Sequence, residues 1–323
     1  CGYRGWNLLL YLEQHSLHKF SKYKNIICVD SLIKQDLQKD IRENKLFNKN
    51  LLVNKISMLN YHTRKHNLIL EYGDICNPEF VNKLLVKHQP DIIINCAKQY
   101  SSNYYALNTS TAHLTYQSNI VGLLNLLNCA KALISVKIIN INMLYRDNDK
   151  MLLLNNINSE ICKAYQNSNA QIGNLMTICN VFCGDIYGVK IDGVNDKNMF
   201  ASVDYDNIFG GITNRIITQI ALNEKIFIYG DEKFNLPILN LQDFVCEIDR
   251  IIKFSEKKRG YFEFNLVSEI LEIQKIIETL KEKKTFIKYI KQKSDKLNIV
   301  NIKLLKKRRN INKQIIEEYR KVL

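Results

Sequence analysis

The 323 residues predict an open, mostly parallel α/β sheet wound with helices on both faces, followed by a smaller α/β region. Three observations carry this expectation. Short apolar runs that suit buried strands alternate with amphipathic stretches of helical length. The run Ile92-Ile93-Ile94 is apolar without alternation, as in a strand covered on both faces. A glycine pair, Gly2 and Gly5, stands directly before a helical pattern, and a strand ending in Asp30 follows.

Taken in order, Leu8, Leu9, Leu10 and Leu12 mark one face of the first helix, with Glu13 and His15 expected toward solvent. Ile26-Ile27-Cys28-Val29 reads as a buried strand closed by Asp30. Glycines let backbone N–H groups approach a pyrophosphate at a helix N-terminus, and an acidic side chain ending the next strand accepts ribose hydroxyls. The first strand and first glycine of that dinucleotide motif are missing, so a plain tight turn remains the alternative. A polar, helical excursion is expected from Asp30 to Tyr61, then a strand over Asn67–Tyr72. Asn77 suits an N-cap and Pro78 a first turn, opening a helix whose face is Phe80, Val81, Leu84 and Leu85. After the strand Ile92–Asn95, one long helix is expected over about 111–133, with Leu114, Ile120, Val121, Leu124 and Leu127 facing inward. The strand Val136–Ile139 follows, then a helix over Asn158–Gln171 and a strand over Leu175–Phe182. Beyond the loop Gly184–Gly188 the pattern predicts a helix Tyr205–Leu222, a strand Ile226–Tyr229, a helix Leu241–Phe254 and a strand Tyr261–Asn265. The last 55 residues read as helical and basic. The layout places a Rossmann-like nucleotide domain at 1–183 and a substrate-binding region at 184–323.

The net charge of +14 is uneven: residues 251–323 hold 20 Lys and Arg against 9 Asp and Glu. Such a patch is a footprint for nucleic acid or an anionic partner, or simply a solvated helical surface in a lysine-rich chain. Nine cysteines show no C-x-x-C spacing, which favours buried thiols over a metal site. No apolar run is long enough to span a bilayer.

The runs GDICNPEF (73–80), QPDIIINCAKQYSSNY (89–104) and SNIVGLLNLL (118–127) resemble the extended short-chain dehydrogenases that act on nucleotide sugars, the NAD-dependent epimerase/dehydratase family. With GYRGW (2–6), IYGVKID (186–192) and VDYDNIFGGITNR (203–215), the likeness is greatest to that family's UDP-sulfoquinovose synthases. It implies bound NAD, a UDP-glucose-like substrate joined to sulfite, a plastid location and a homodimer. Under it Gly2 and Gly5 line the pyrophosphate, and Tyr3, Arg4 and Trp6 belong to the same cofactor turn. Asp30 takes the adenosine ribose, Asp74 and Ile75 the adenine, and Asn95, Cys96, Ala97 and Lys98 stand at the strand end beside the cofactor. Asn119 matches the family's helix asparagine. Gln99, Tyr100 and Arg215 fall on the substrate side, Arg215 either pairing with a UDP phosphate or capping its helix.

The chain departs from the family at the chemistry. The family uses a tyrosine, a lysine four residues later and a Ser or Thr at the preceding strand end. Here Lys163 is preceded at that spacing by Ser159, Tyr165 lies on another face, and the strand-end position falls on Asn140 or Asn142. The stretch from Tyr145 to Lys163 is shorter than the resemblance requires. The catalytic candidates are therefore Lys163, Ser159 and Asn142, with Lys163 also on the cofactor. A serine hydroxyl ionises far above phenol's value of ~10, so Ser159 cannot replace the tyrosine. Three readings stay open: an active nucleotide-sugar enzyme, a catalytically impaired nucleotide-binding or scaffold protein, and a dehydrogenase-like RNA binder.

Overall fold

A computed structural model of the chain describes residues 2–15, 25–34, 67–144, 149–171 and 176–194, and, apart from short gaps, 196–290 and 304–321. Most of the excursion expected between Asp30 and Tyr61, and Tyr145, lie outside these residues.

The chain opens on α1 (Tyr3–His15). Strands β1 (Asn25–Asp30) and β2 (Asn67–Tyr72) pair in parallel, Asn25 opposite Asn67 and Asp30 opposite Tyr72. A second parallel group runs in the order β3 (Ile92–Asn95), β4 (Lys137–Met143), β5 (Thr177–Cys183), β9 (Gly260–Leu266). The main sheet thus draws a strand from beyond residue 183. Trp6, Leu8, Leu9, Leu10 and Tyr11 of α1 share one core with Cys28, Leu68, Ile139 and Ile141, which ties the two parallel groups together. Helix α8 (Leu241–Lys257) also covers α1. Enclosure on several sides corrects the solvent position expected for Glu13, which is buried.

Helix α2 (Pro78–His88) forms as its caps dictate: Asn77 Oδ1 accepts from the N–H groups of Glu79 and Phe80, and Pro78 opens the first turn. The short α3 spans Ser102–Tyr105. The single long helix expected next is interrupted. It runs as α4 (Thr109–Tyr116), a π-helical turn (Gln117–Val121) and α5 (Gly122–Ala130). A π turn takes up an extra residue and rotates everything after it. Val121, expected inside, is therefore 41% exposed, while Asn119 is turned inward and buried. Helix α6 (Asp149–Gln171) starts nine residues before its expected position.

In the second region β6 (Asp185–Tyr187), β8 (Asn235–Asn240) and β10 (Glu269–Glu272) form one sheet, and β7 (Ile226–Tyr229) pairs with β11 (Ile287–Ile290). Helices α7 (Ile212–Ala221), α9 (Ile273–Leu280) and α10 (Gln314–Arg320) close around them. The wholly helical C-terminus expected from the sequence is thus corrected by β10 and β11. Pro237 concealed β8, since proline removes a ladder donor and speaks against a central strand. Helix α7 begins at Ile212 rather than Tyr205, with Gly211 as its N-cap.

Gly184 joins the two sheets at close quarters. A Cβ there would stand 2.7 Å from the Pro237 carbonyl oxygen. That carbonyl is backbone of β8, held on both sides by β6 and β10, so it cannot step aside. Gly184→Ala is expected to lower stability by about 1–3 kcal/mol, read from a urea midpoint. A change under about 0.5 kcal/mol would show that β8 yields.

Cys76, Cys96, Cys129, Cys162, Cys179, Cys183 and Cys246 are free. Cys28 is disulfide-bonded, which corrects the expectation of thiols throughout. Among the described residues no helix is long and apolar enough to cross a membrane.

Candidate active site at the carboxyl edge of the sheet

The N-terminus of α1 abuts the carboxyl ends of β3 and β4. A Cβ on Gly5 would lie 3.8 Å from Cys96 Cβ, just past β3. Arg4 Nη2 reaches Met143 Sδ at the end of β4, 2.6 Å away. Ligands of open α/β sheets bind at this edge. A Cβ on Gly2 would meet nothing within 4 Å, so neither glycine is demanded by the chain's own packing.

Arg4 lies with its guanidinium 3.6 Å above the Tyr100 ring. Its second amino group, Nη1, is buried with no hydrogen-bond partner among the described residues. An orphaned guanidinium N–H pair is costly unless something accepts from it, and a phosphate oxygen is suited to do so. Tyr3 points away, its hydroxyl donating to the Gly188 carbonyl 2.5 Å away, and Trp6 donates from Nε1 to the Met199 carbonyl at 2.6 Å. Both anchor the turn to the second region and leave the space above the glycines open.

Asp30 ends β1 with Oδ1 accepting from the Leu32 N–H at 2.7 Å. Asp74 Oδ1 accepts from the Cys76 N–H at 2.9 Å. Ile75 packs on Gly122, where a Cβ would lie 2.6 Å from the Ile75 side chain, so α5 needs glycine to approach. Asn125 Nδ2 donates to the carbonyls of Ile75 and Cys76 and holds that loop. Asn119, inward because of the π turn, makes a two-way bond with the Gln99 backbone, accepting from its N–H at 2.8 Å and donating to its carbonyl at 2.7 Å. Gln99 Oε1 accepts from the Ser101 N–H, and Tyr100 donates to the Ile141 carbonyl.

Behind this edge runs a ladder of amides that the sequence did not signal as a unit. Asn95 Nδ2 donates to Asn140 Oδ1, and Asn140 Nδ2 donates to Asn180 Oδ1 at 2.9 Å. Asn142 Nδ2 donates to the same oxygen at 2.6 Å. Asn180 Nδ2 donates onward to Ser159 Oγ at 3.0 Å. Asn140, Asn142 and Asn180 occupy same-face positions on neighbouring strands, opposite α6. Asparagines at period two within Ile-rich strands were the available signal. Lys98 closes the ladder at the open edge, donating from Nζ to Asn142 Oδ1 at 2.5 Å. Ala97 gives only its backbone N–H, to Asn95 Oδ1.

Of the catalytic candidates, Ser159 and Lys163 share the wall of one cavity and Asn142 stands apart from it. Ser159 is buried beneath the ladder. Lys163 is turned outward and ion-paired, 3.0 Å from Glu160 and 3.9 Å from Glu263, and the Glu160 carboxylate raises its pKa. Both line a cavity of about 300 Å³ between α6, β5 and β9 that neither Lys98 nor Asn142 borders. Tyr165 donates to Asn128 on the far side of α6. Arg215, read as a phosphate partner or a helix cap, is buried on α7 with Asp185 nearby.

The parallel α/β sheet with a glycine turn at its carboxyl edge and a second, mixed region defines a Rossmann-like fold, and the proteins this chain is similar to are nucleotide-sugar dehydratases, epimerases and synthases. Residues 29–143 match the family model of GDP-mannose 4,6 dehydratase. Among curated proteins, a UDP-sulfoquinovose synthase of Sulfolobus acidocaldarius is 19% identical over 310 residues, 87% of this chain and 76% of that protein. The chloroplastic UDP-sulfoquinovose synthase of Spinacia oleracea is 21% identical over 83% of this chain, which spans 59% of that relative. Among solved structures, the fold is similar to UDP-glucuronic acid 4-epimerase from Bacillus cereus, in complex with UDP-glucuronic acid and NAD. The TM-score is 0.67 at 14% identity, covering 99% of this chain and 96% of that one.

Proposed function

We propose that the chain binds NAD across the α1 turn and acts on a nucleotide sugar of the UDP-glucose class, in the manner of a UDP-sulfoquinovose synthase. The observation that carries this reading is Arg4: a buried guanidinium nitrogen with no acceptor among the described residues, beside two glycines that the fold does not itself need. An anionic pyrophosphate at a helix N-terminus answers both features. Gly2, Gly5 and Arg4 hold that group, Asp30 takes the ribose hydroxyls, and Asp74 with Ile75 borders the base. Asn95, Cys96, Ala97, Asn119 and Tyr100 shape the floor below the reacting sugar, and Gln99 borders it. When bound, NAD supplies reversible hydride acceptance. The plastid location of the spinach relative extends to this chain as part of the proposal.

A catalytically impaired nucleotide binder is the second reading, favoured by the outward, ion-paired Lys163 and the enclosed Ser159. Binding is tested first. NAD should raise the unfolding midpoint of the purified chain, and Arg4→Gln or Asp30→Ala should each abolish most of that rise. An unchanged midpoint at millimolar NAD ends the cofactor reading. UDP-glucose with sulfite then separates the two alternatives by the appearance, or not, of a sulfonated sugar nucleotide.

A further inference from the structure

Lys98 is set in an unusual place for a lysine. It follows β3 at the carboxyl edge, keeps part of its surface exposed there, and donates to Asn142 at the end of the amide ladder. The charged and titratable groups that face it are Arg4 from α1, Cys96 from its own loop and Cys162 from α6. Among the described residues no carboxylate pairs with it. An ammonium here would lie in the field of the Arg4 guanidinium, with no carboxylate among the described residues to offset it, in a site largely shielded from water.

We infer that Lys98, not Lys163, is the acid–base amine of this site, placed to exchange a proton with a hydroxyl of a bound sugar. The inference rests on the nucleotide-sugar reading for its substrate. Desolvation, the dominant cause, pulls the amine down to about 7 against the opposing influence of Cys162 and Cys96, with Arg4 adding a smaller push in the same direction, so a lone pair is available at neutral pH. One N–H donates to Asn142 and fixes the direction of that lone pair. As the sugar is oxidised, its O–H bond breaks and a new N–H bond forms on Lys98, giving the ammonium. The C–H electron pair of the same carbon leaves as hydride to an acceptor of the nicotinamide class, and a carbonyl remains. The reverse step returns the proton from the ammonium to the oxygen. Asn142, which looked like a reacting group by position, is in this arrangement a positioning residue for Lys98.

The test is competitive acetylation of the full chain across pH, with each lysine quantified by peptide mass. Lys98 is expected to label with a midpoint near 7, and at pH 7 to react at least about tenfold faster than Lys163 and the surface lysines. UDP-glucose should slow labelling of Lys98 and leave Lys163 unchanged. An ordinary lysine midpoint, no labelling at any pH, or labelling indifferent to UDP-glucose overturns the inference. A second arm uses Lys98→Met and Lys98→Arg, following reduction of bound NAD by UDP-glucose in a single turnover. Loss of reduction with the NAD-dependent thermal shift retained supports the assignment, and parent-like reduction overturns it. Failure of NAD to shift the parent's midpoint sinks the cofactor reading alone, because the labelling midpoint still decides the state of Lys98.

Discussion

Asn180→Ala lowers the stability of the fold by about 3 kcal/mol. The side chain is fully enclosed on β5 and serves four groups at once. Its oxygen accepts from Asn140 and Asn142, and its nitrogen donates to Ser159 and, at 3.4 Å, to the Tyr261 hydroxyl. Truncation leaves the Asn140 and Asn142 amides without this partner in a dry interior, while Ser159 borders the cavity and the Tyr261 hydroxyl keeps Glu263. Asn140 Nδ2 keeps only a long contact to Cys162 Sγ at 3.9 Å, and Asn142 Nδ2 only the Asn140 carbonyl at 3.4 Å. Each orphaned buried amide costs about 1–3 kcal/mol, and the small cavity adds to it. A urea titration at constant slope measures the loss. A value below about 0.5 kcal/mol would mean that water enters and satisfies the ladder, contrary to the packing described. The same substitution frees Asn142 to swing away from Lys98, so the Lys98 labelling midpoint should move with it.

Lys98→Met is expected to make the folded chain more stable near neutral pH while removing the proposed chemistry. Lys98 titrates near 7 when folded and near 10.5 when unfolded. Between those values the unfolded chain carries the proton and the folded chain does not, so this group makes stability rise with pH across that window. Below pH 7 both states are protonated, and the folded state bears the full burden of the enclosed ammonium. Allowing for the partial exposure of the residue and the lost bond to Asn142, methionine should gain about 1–2 kcal/mol at pH 6. The gain should shrink steadily toward pH 10, where the parent amine is neutral in both states. Thermal midpoints of the two proteins, taken at pH 6, 8 and 10, give the comparison. A constant difference at all three values would show an ordinary lysine at this position. Stability gained where activity is lost is the usual signature of a strained functional group.

Much of the fold was legible because local signals and tertiary demands coincide there. Asn77 and Pro78 start α2 where their capping chemistry says, and Ile92–Asn95 is an inner parallel strand as its unbroken apolar run implies. The failures have physical causes. Pro237 concealed β8, the π turn rotated Val121 outward, and Glu13 is enclosed because α8 covers a face that the helix period alone leaves to water. For the site, resemblance assigned Arg4, Asp30, Asn95, Lys98 and Asn119 to the cofactor side and Lys163 to the place of the family's tyrosine-assisting lysine. The structure sets Lys98 and Asn119 at the carboxyl edge, while Lys163 turns outward. Spacing puts Ser159 and Lys163 on one helix face, yet it cannot say what that face meets. In the structure it meets Glu160, Glu263 and the underside of the amide ladder.

The order of strands and helices, the glycine turn and the strand-end polar residues were determined by the sequence alone, because periodicity, capping and backbone sterics act within a few residues of one another. That Lys98 reaches Asn142 at the carboxyl edge while Lys163 turns outward to Glu160 was decided only by tertiary structure. Parallel pairing brings Asn142 and Asn180 together across 38 positions, and packing of α1 brings the Arg4 charge within electrostatic reach of Lys98. Desolvation and the loss of a counter-ion come from those distant neighbours, and no local pattern encodes them.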